Sequence, residues 1–202
     1  MARIVADITV SLDGFVTGPD AGPGNGLGTG GEPLHTWAFS DDPDDQRIVR
    51  QATERSGAVV MGRRLFDIVD GPGGWDDEVG YGAREVGRPP FVVVTSAPPE
   101  AVRLTDLDWT FVTTGIADAI AVARERVETA SDSDRDVVLM GGGATIGSAL
   151  AAGLVDILSL HLAPLILGAG TPLFQGGGSP VQLVQRSVTA TSTATHLLYE
   201  VR

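Results

Sequence analysis

The chain contains no cysteine, which excludes disulfides, thiol catalysis and cysteine-ligated zinc. Its three histidines, at positions 35, 161 and 196, are too scattered for metal-ligand spacing. It has no run of 18 apolar residues, so no membrane span is expected. Basic residues are scarce: 14 Lys and Arg face 26 Asp and Glu, for a net charge of −12. That balance opposes nucleic acid and anionic membranes, both of which need a basic surface. The start, Met1-Ala2-Arg3-Ile4, turns strand-like at once with no signal-type apolar region. A cytoplasmic location is the expectation.

What is present suits one α/β domain over residues 1–202. Hydrophobic residues make up 43% of the chain, enough for a full core. The pattern is organised around Asp136 to Gly147. Val137 to Met140 reads as a buried strand, short, continuous and rich in β-branched residues. Three glycines follow, and Ala144 to Ala152 reads as a helix closed by Gly153. A turn without side chains lets a phosphate or a ring approach the backbone and the positive end of the helix. The alternative is a plain strand-to-helix turn. The usual dinucleotide fingerprint does not fit, because the sixth residue from Gly141 is Ile146 rather than glycine.

Elsewhere the pattern predicts a first strand over Arg3 to Val10. Seven glycines and two prolines fall between Gly18 and Gly31, so a long loop is expected there, running on to about Ser40. Ser40-Asp41-Asp42-Pro43 reads as the start of a helix, with a capping hydroxyl and acids in its first turn read as solvated, running to about Ser56. Ala58 to Met61 is a buried strand and Arg63 to about Val69 a helical turn. A short helix is considered for Asp77 to Val86. Strands are expected over Pro90 to Thr95 and Trp109 to Thr113, and an amphipathic helix over Asp118 to Glu128. Leu154 to Leu162 reads as a strand with Ile157, Ser159 and His161 on one face. Val181 to Thr189 and Thr193 to Val201 read as an antiparallel hairpin. Alternation of strand and helix, then strands alone, implies a mixed, mostly parallel sheet flanked by helices with C-terminal antiparallel strands.

Several pieces carry a resemblance. They are Ser11-Leu12-Asp13-Gly14-Phe15-Val16, Val60-Met61-Gly62-Arg63-Arg64, Val92-Val93-Val94-Thr95-Ser96, Gly141-Gly142-Gly143-Ala144, Gly153-Leu154-Val155-Asp156 and Pro164 through Phe174. In this order the chain resembles the dihydrofolate reductase-like superfamily. Within it, the likeness is to the branch of the C-terminal reductase domain of bacterial riboflavin biosynthesis.

The resemblance implies an NADPH site on Gly62, Arg63, Arg64, Leu65, Thr95, Ser96, Gly141, Gly142, Gly143, Ala144 and Thr145. Guanidinium groups suit the 2′-phosphate and pyrophosphate. Leu65 stands where many relatives have threonine. Asp13 matches the family's loop aspartate, and its other reading is an Asp-Gly turn. Asp13 and His35 are the candidates for orienting or protonating a substrate. Glu32 and Trp37 are candidates for touching it, Trp37 by stacking. No equivalent is identified for the acid that dihydrofolate reductase carries on the helix after this loop. His161 is read as structural or as a subunit contact, and His196 has no nameable partner.

The expected function is NADPH-dependent hydride transfer to a C=N or C=O group of a small, heterocyclic substrate. No deaminase signature with histidine and cysteine zinc ligands is present. The alternative is a non-catalytic nucleotide- or flavin-binding module of the same fold. A homodimer through the C-terminal strands is expected from the resemblance.

Overall fold

The computed structural model describes residues 1–81, 87–130, 134–174 and 179–202. In chain order its elements are β1 (Ile4–Ser11), β2 (Phe15–Thr17), a 3-10 helix (Glu32–Phe39), α1 (Pro43–Arg55), β3 (Ser56–Gly62) and α2 (Arg63–Val69). Then come β4 (Phe91–Val94), β5 (Trp109–Val112), α3 (Ile116–Thr129), β6 (Asp136–Gly141), α4 (Gly143–Ala151), β7 (Ile157–Ala163), β8 (Thr171–Pro172), β9 (Leu183–Ala190) and β10 (Thr195–Val201). Eight strands form one sheet in the order β5-β4-β3-β6-β1-β7-β10-β9. The first six run parallel, and β10 and β9 add antiparallel to the β7 edge. This is the mixed sheet that the alternation of elements implied. β2 and β8 form a separate two-stranded ribbon.

The central strands are apolar on both sides because both are covered. One face carries Ile4, Ala6, Val60, Leu139 and Leu158 against Ile120 and Ala123 of α3 and Ile146 of α4. On the other, Val59, Met61, Phe91 and Val93 pack on Phe66 and Val69 of α2. The rest of that second face lies under α1 and the 3-10 helix.

Several expectations are corrected. The long loop stops at Gly31, and Glu32 to Phe39 winds into a 3-10 helix that buries Leu34 and Trp37. The acidic start of α1 is only partly solvated. Asp42 caps it by accepting from the Asp44 N–H, while Asp45 is fully buried. The strand expected from Leu154 begins at Ile157. Gly153, at φ 65°, closes α4 as expected, with N–H bonds from Gly153 to Leu150 and from Leu154 to Ala149. Asp156 then accepts the Ile4 N–H at 2.7 Å just before the strand begins. Residues 77–81 form no helix, and residues 82–86 of that suggestion lie outside the described residues.

At the N-terminal edge of the sheet, Asp136 takes Arg3 at 3.0 Å and Arg55 at 2.7 Å. Burial pushes its carboxyl pKa up, but the two guanidinium groups outweigh burial and hold it below the ordinary range. A carboxyl depressed in the folded state contributes stability that is complete above its unfolded value and lost as pH falls through the folded one. Thermal midpoints should therefore hold near neutrality and drop below about pH 4. Asp136→Asn should lower the midpoint at pH 7 and leave a shallower acid fall.

Candidate functional site

Parallel strands present their C-terminal ends at one edge, where a crevice opens in sheets of this kind. The register places Gly62 beside Val94, and Met61 beside Gly141. The ends of β3, β4 and β6 thus bring Gly62, Arg63, Thr95 and the glycine turn together. The contact is close: a Cβ on Gly62 would lie 2.4 Å from Thr145 Oγ1.

The three glycines of the turn differ. Gly141 has φ 127°, a conformation open to glycine, and its peptide bond to Gly142 is cis. Gly143 is packed, since a Cβ there would meet the Pro172 carbonyl oxygen at 2.7 Å. Gly142 faces open space, with no atom within 4 Å of a Cβ placed on it. It is also the N-cap of α4 and offers no side chain. The Thr145 and Ile146 N–H groups turn back to the Gly142 carbonyl. Those of Gly143 and Ala144 make no hydrogen bond among the described residues.

The two arginines play different parts. Arg63 is engaged: its Nε donates to Asp67 at 2.7 Å and its Nη1 to the Ala97 carbonyl at 2.9 Å. Thr95 Oγ1 donates to the same carbonyl at 2.6 Å. Arg64 is exposed and makes no ion pair among the described residues. Ser96 is exposed, and Leu65 packs toward Gly141.

Asp13 stands at the end of β1. It accepts from Ser11 Oγ at 2.7 Å and from the backbone N–H groups of Leu167 at 3.1 Å and Gly168 at 2.7 Å. The Ser11 hydroxyl above all, with those amides, holds its pKa below the ordinary range. Near neutrality it is therefore an ionised acceptor that ties the loop after β7 to the end of β1. Glu32 and His35 line a separate hollow of about 490 Å³ with Asn25, Phe39 and Val79, and no cofactor candidate lines it. Trp37 is 7% exposed. Its ring packs on His161 at 4.1 Å, and its Nε1 donates to Thr9 at 2.9 Å.

Beneath Trp37 lies a group that the sequence reading did not assemble. Asp7 meets His161 Nε2 at 3.2 Å. The Nδ1 atoms of His161 and His196 are 2.7 Å apart. His196 Nε2 meets Asp45 at 2.8 Å. Asp45 also accepts from the Ser40 and Thr193 hydroxyls. So His196 does have partners, Asp45 of α1 and His161 of β7. One signal for the group was in the sequence: Asp45, Ile48 and Ala52 share a helical face, which places a carboxylate on the apolar stripe.

Residues 2–197 match the profile of the RibD C-terminal domain. The chain belongs to the RibD C-terminal domain family. No curated protein matches it. Among solved structures, the RibD C-terminal chain is similar to a protein assigned to riboflavin biosynthesis from Shewanella sp. PV-4. The two share 22% identity over 100% of this chain and 99% of the other, at a TM-score of 0.71. It is similar to a pyrimidine reductase-like protein from Corynebacterium diphtheriae at 15% identity, covering 100% and 92%, TM-score 0.60. A third likeness is to a diaminohydroxyphosphoribosylaminopyrimidine deaminase/5-amino-6-(5-phosphoribosylamino)uracil reductase from Thermotoga maritima. There identity is 13% and TM-score 0.60, and 98% of this chain covers 56% of that one. At these identities the likeness is one of fold. No described helix is long and apolar enough to cross a membrane.

Proposed function

We propose that this protein is an NADPH-dependent reductase that delivers hydride to a C=N or C=O group of a small heterocycle. The observation that carries the reading is the uncapped turn at Gly142. Open space, two unpartnered N–H groups and the start of α4 meet there, at the C-terminal edge of a RibD C-terminal fold. The residues fit a dinucleotide: Gly142 to Thr145 for pyrophosphate, Arg64 with Ser96 for the 2′-phosphate, and Arg63 and Thr95 to shape that wall. NADPH when bound supplies the hydride. Asp13 orients the loop beside the nicotinamide. Glu32 and His35 act only if their hollow closes toward the crevice when substrate binds. The two molecules of a homodimer would meet along β9, where Leu183 and Val188 are exposed. Light scattering would test that association.

Thermal unfolding with NADPH, NADH and FMN in parallel tests the reading. A ligand at about 100 times its Kd adds roughly 2.7 kcal/mol. In a domain of this size that is about 5–10 °C in midpoint. A shift with NADPH supports the reductase. A shift with FMN alone favours the flavin-binding module, which the apolar Leu65 at the phosphate wall also suits. No shift with any of them removes the cofactor reading. Where NADPH shifts the midpoint, Arg64→Ala should weaken NADPH about tenfold while changing NADH little, as expected for one charge-assisted phosphate contact. Equal loss for both cofactors would remove Arg64 from the 2′-phosphate. The first acceptor to assay is 5-amino-6-(5-phosphoribosylamino)uracil, by NADPH absorbance.

A further inference from the structure

Asp7, His161, His196 and Asp45 form a continuous chain of three hydrogen bonds. Each bond needs one proton. Ionised carboxylates bring none, and two neutral imidazoles bring one each. With both Nε2 protons donated to the carboxylates, the Nδ1 atoms would oppose lone pair to lone pair at 2.7 Å. The chain therefore closes only with a third proton, on one of the two facing Nδ1 atoms.

The two flanking carboxylates favour that state and burial opposes it. Burial pushes Asp45 and Asp7 up, but hydrogen bonds and the facing histidines outweigh it, so both carboxyls lie below the ordinary range. Two carboxylates then flank one imidazolium and one imidazole. Burial lowers the pKa of His196 and outweighs the pull of Asp45, so it is the facing Nδ1 geometry that calls for the extra proton. Other charged groups around the pair are Arg47 on α1, His35 on the 3-10 helix, and Arg3 and Arg55 held on Asp136.

The chain also has two ends in different places. Asp7 opens into a cavity of about 270 Å³ between α1 and the sheet, lined by Val5, Ile48, Ala52 and Ser159 among others. Its carboxylate side chain is 24% exposed; His161 and His196 line the same cavity but are nearly buried, and Asp45 is fully buried. Register pairs Ser159 with Asp7, His161 with Thr9 and Thr195 with Leu162. The chain therefore climbs from mid-sheet to the C-terminal edge. There the half-buried hydroxyls of Ser40 and Thr193 lie against Asp45.

We propose that Asp7, His161, His196 and Asp45 are a proton-loaded relay between the cavity under α1 and the C-terminal edge of the sheet. Its use in catalysis rests on the reductase reading. Reduction of a C=N group adds hydride to carbon and one proton to nitrogen, while NADPH becomes NADP⁺. The relay gives up its Nδ1 proton toward Asp45 and its hydroxyls. A solvent proton taken up from the cavity beside Asp7 replaces it, so one proton is consumed per turnover.

Two measurements test it, the first without cofactor. In protein labelled with ¹⁵N-histidine at pH 7, one Nδ1 proton should couple to the Nδ1 atoms of both rings. Asp7→Asn should lower the titration of the pair by at least one pH unit and slow exchange of that proton at least tenfold. Two Nε2-protonated rings with no Nδ1 proton from pH 5 to 8 would overturn the loading. Unchanged exchange in folded Asp7→Asn would overturn the entry route.

The second measurement uses NADPH with 5-amino-6-(5-phosphoribosylamino)uracil. His196→Gln should lower kcat at least tenfold, raise the solvent deuterium effect and keep the NADPH Kd. An unchanged kcat, pH profile and isotope effect in the folded variant would overturn the catalytic use. A parent protein inert with this acceptor defeats the reductase reading for it, and the NMR result then decides the relay alone.

Discussion

Gly142→Val should lower NADPH affinity at least a hundredfold while the protein remains folded. Gly142 sits at φ −70° and ψ −174°, extended backbone that valine adopts readily. Nothing lies within 4 Å of a Cβ placed there, so the fold has room for the branch. The space it fills is the space a pyrophosphate needs to reach the N–H groups of Gly143 and Ala144. Two charge-assisted bonds lost to blocked approach amount to roughly 3–6 kcal/mol, ample for a hundredfold change. Gly143→Ala supplies the contrast. Its Cβ would meet the Pro172 oxygen at 2.7 Å and Val16 at 3.2 Å, so that variant should lose thermal stability. Calorimetry with NADPH, beside circular dichroism, separates the two results. A folded Gly142→Val that binds NADPH like the parent would remove this turn from the cofactor site.

That contrast was only half legible in the sequence. Three glycines after a β-branched run announced a side-chain-free turn, and Gly153 announced the end of α4. These are local rules, set by φ and by helix capping, and they held. Which glycine faces open space depends on β2 and β8, which pack over Gly143 from 127 residues before it and 29 after, counting from Val16 and Pro172. No local pattern contains that information. The same limit explains the relay. His161 and His196 are adjacent only because β10 pairs with β7 in one register, and a shift by one residue would turn either ring to the opposite face. Asp45 was visible as a carboxylate on an apolar helical stripe, but the acid-rich start of α1 favours a solvated reading, since first-turn acids ordinarily complement the helix dipole. Its burial is decided by Ser40, Thr193 and His196, whose donors replace water.

Trp37 shows how a residue's part follows from what covers it. A tryptophan in a glycine-rich covering loop suggests a stacking platform. Once Glu32 to Phe39 winds into a 3-10 helix, Leu34 and Trp37 fall three residues apart on one side, and both are buried. Trp37 then roofs His161 at 4.1 Å and stands edge-on to His196 at 5.0 Å. Trp37→Ala should therefore cost about 3–5 kcal/mol, the range for emptying a large aromatic site. In a chain of this length that lowers the thermal midpoint by roughly 6–20 °C. Water entering the emptied site would reach the histidine pair, so the Nδ1 proton should exchange faster than in the parent. Trp37→Phe keeps most of the roof and loses only the bond to Thr9, so it should keep most of the stability and the slow exchange. A midpoint for Trp37→Ala within 2 °C of the parent would mean that the ring is a replaceable cover, available to stack on substrate after all.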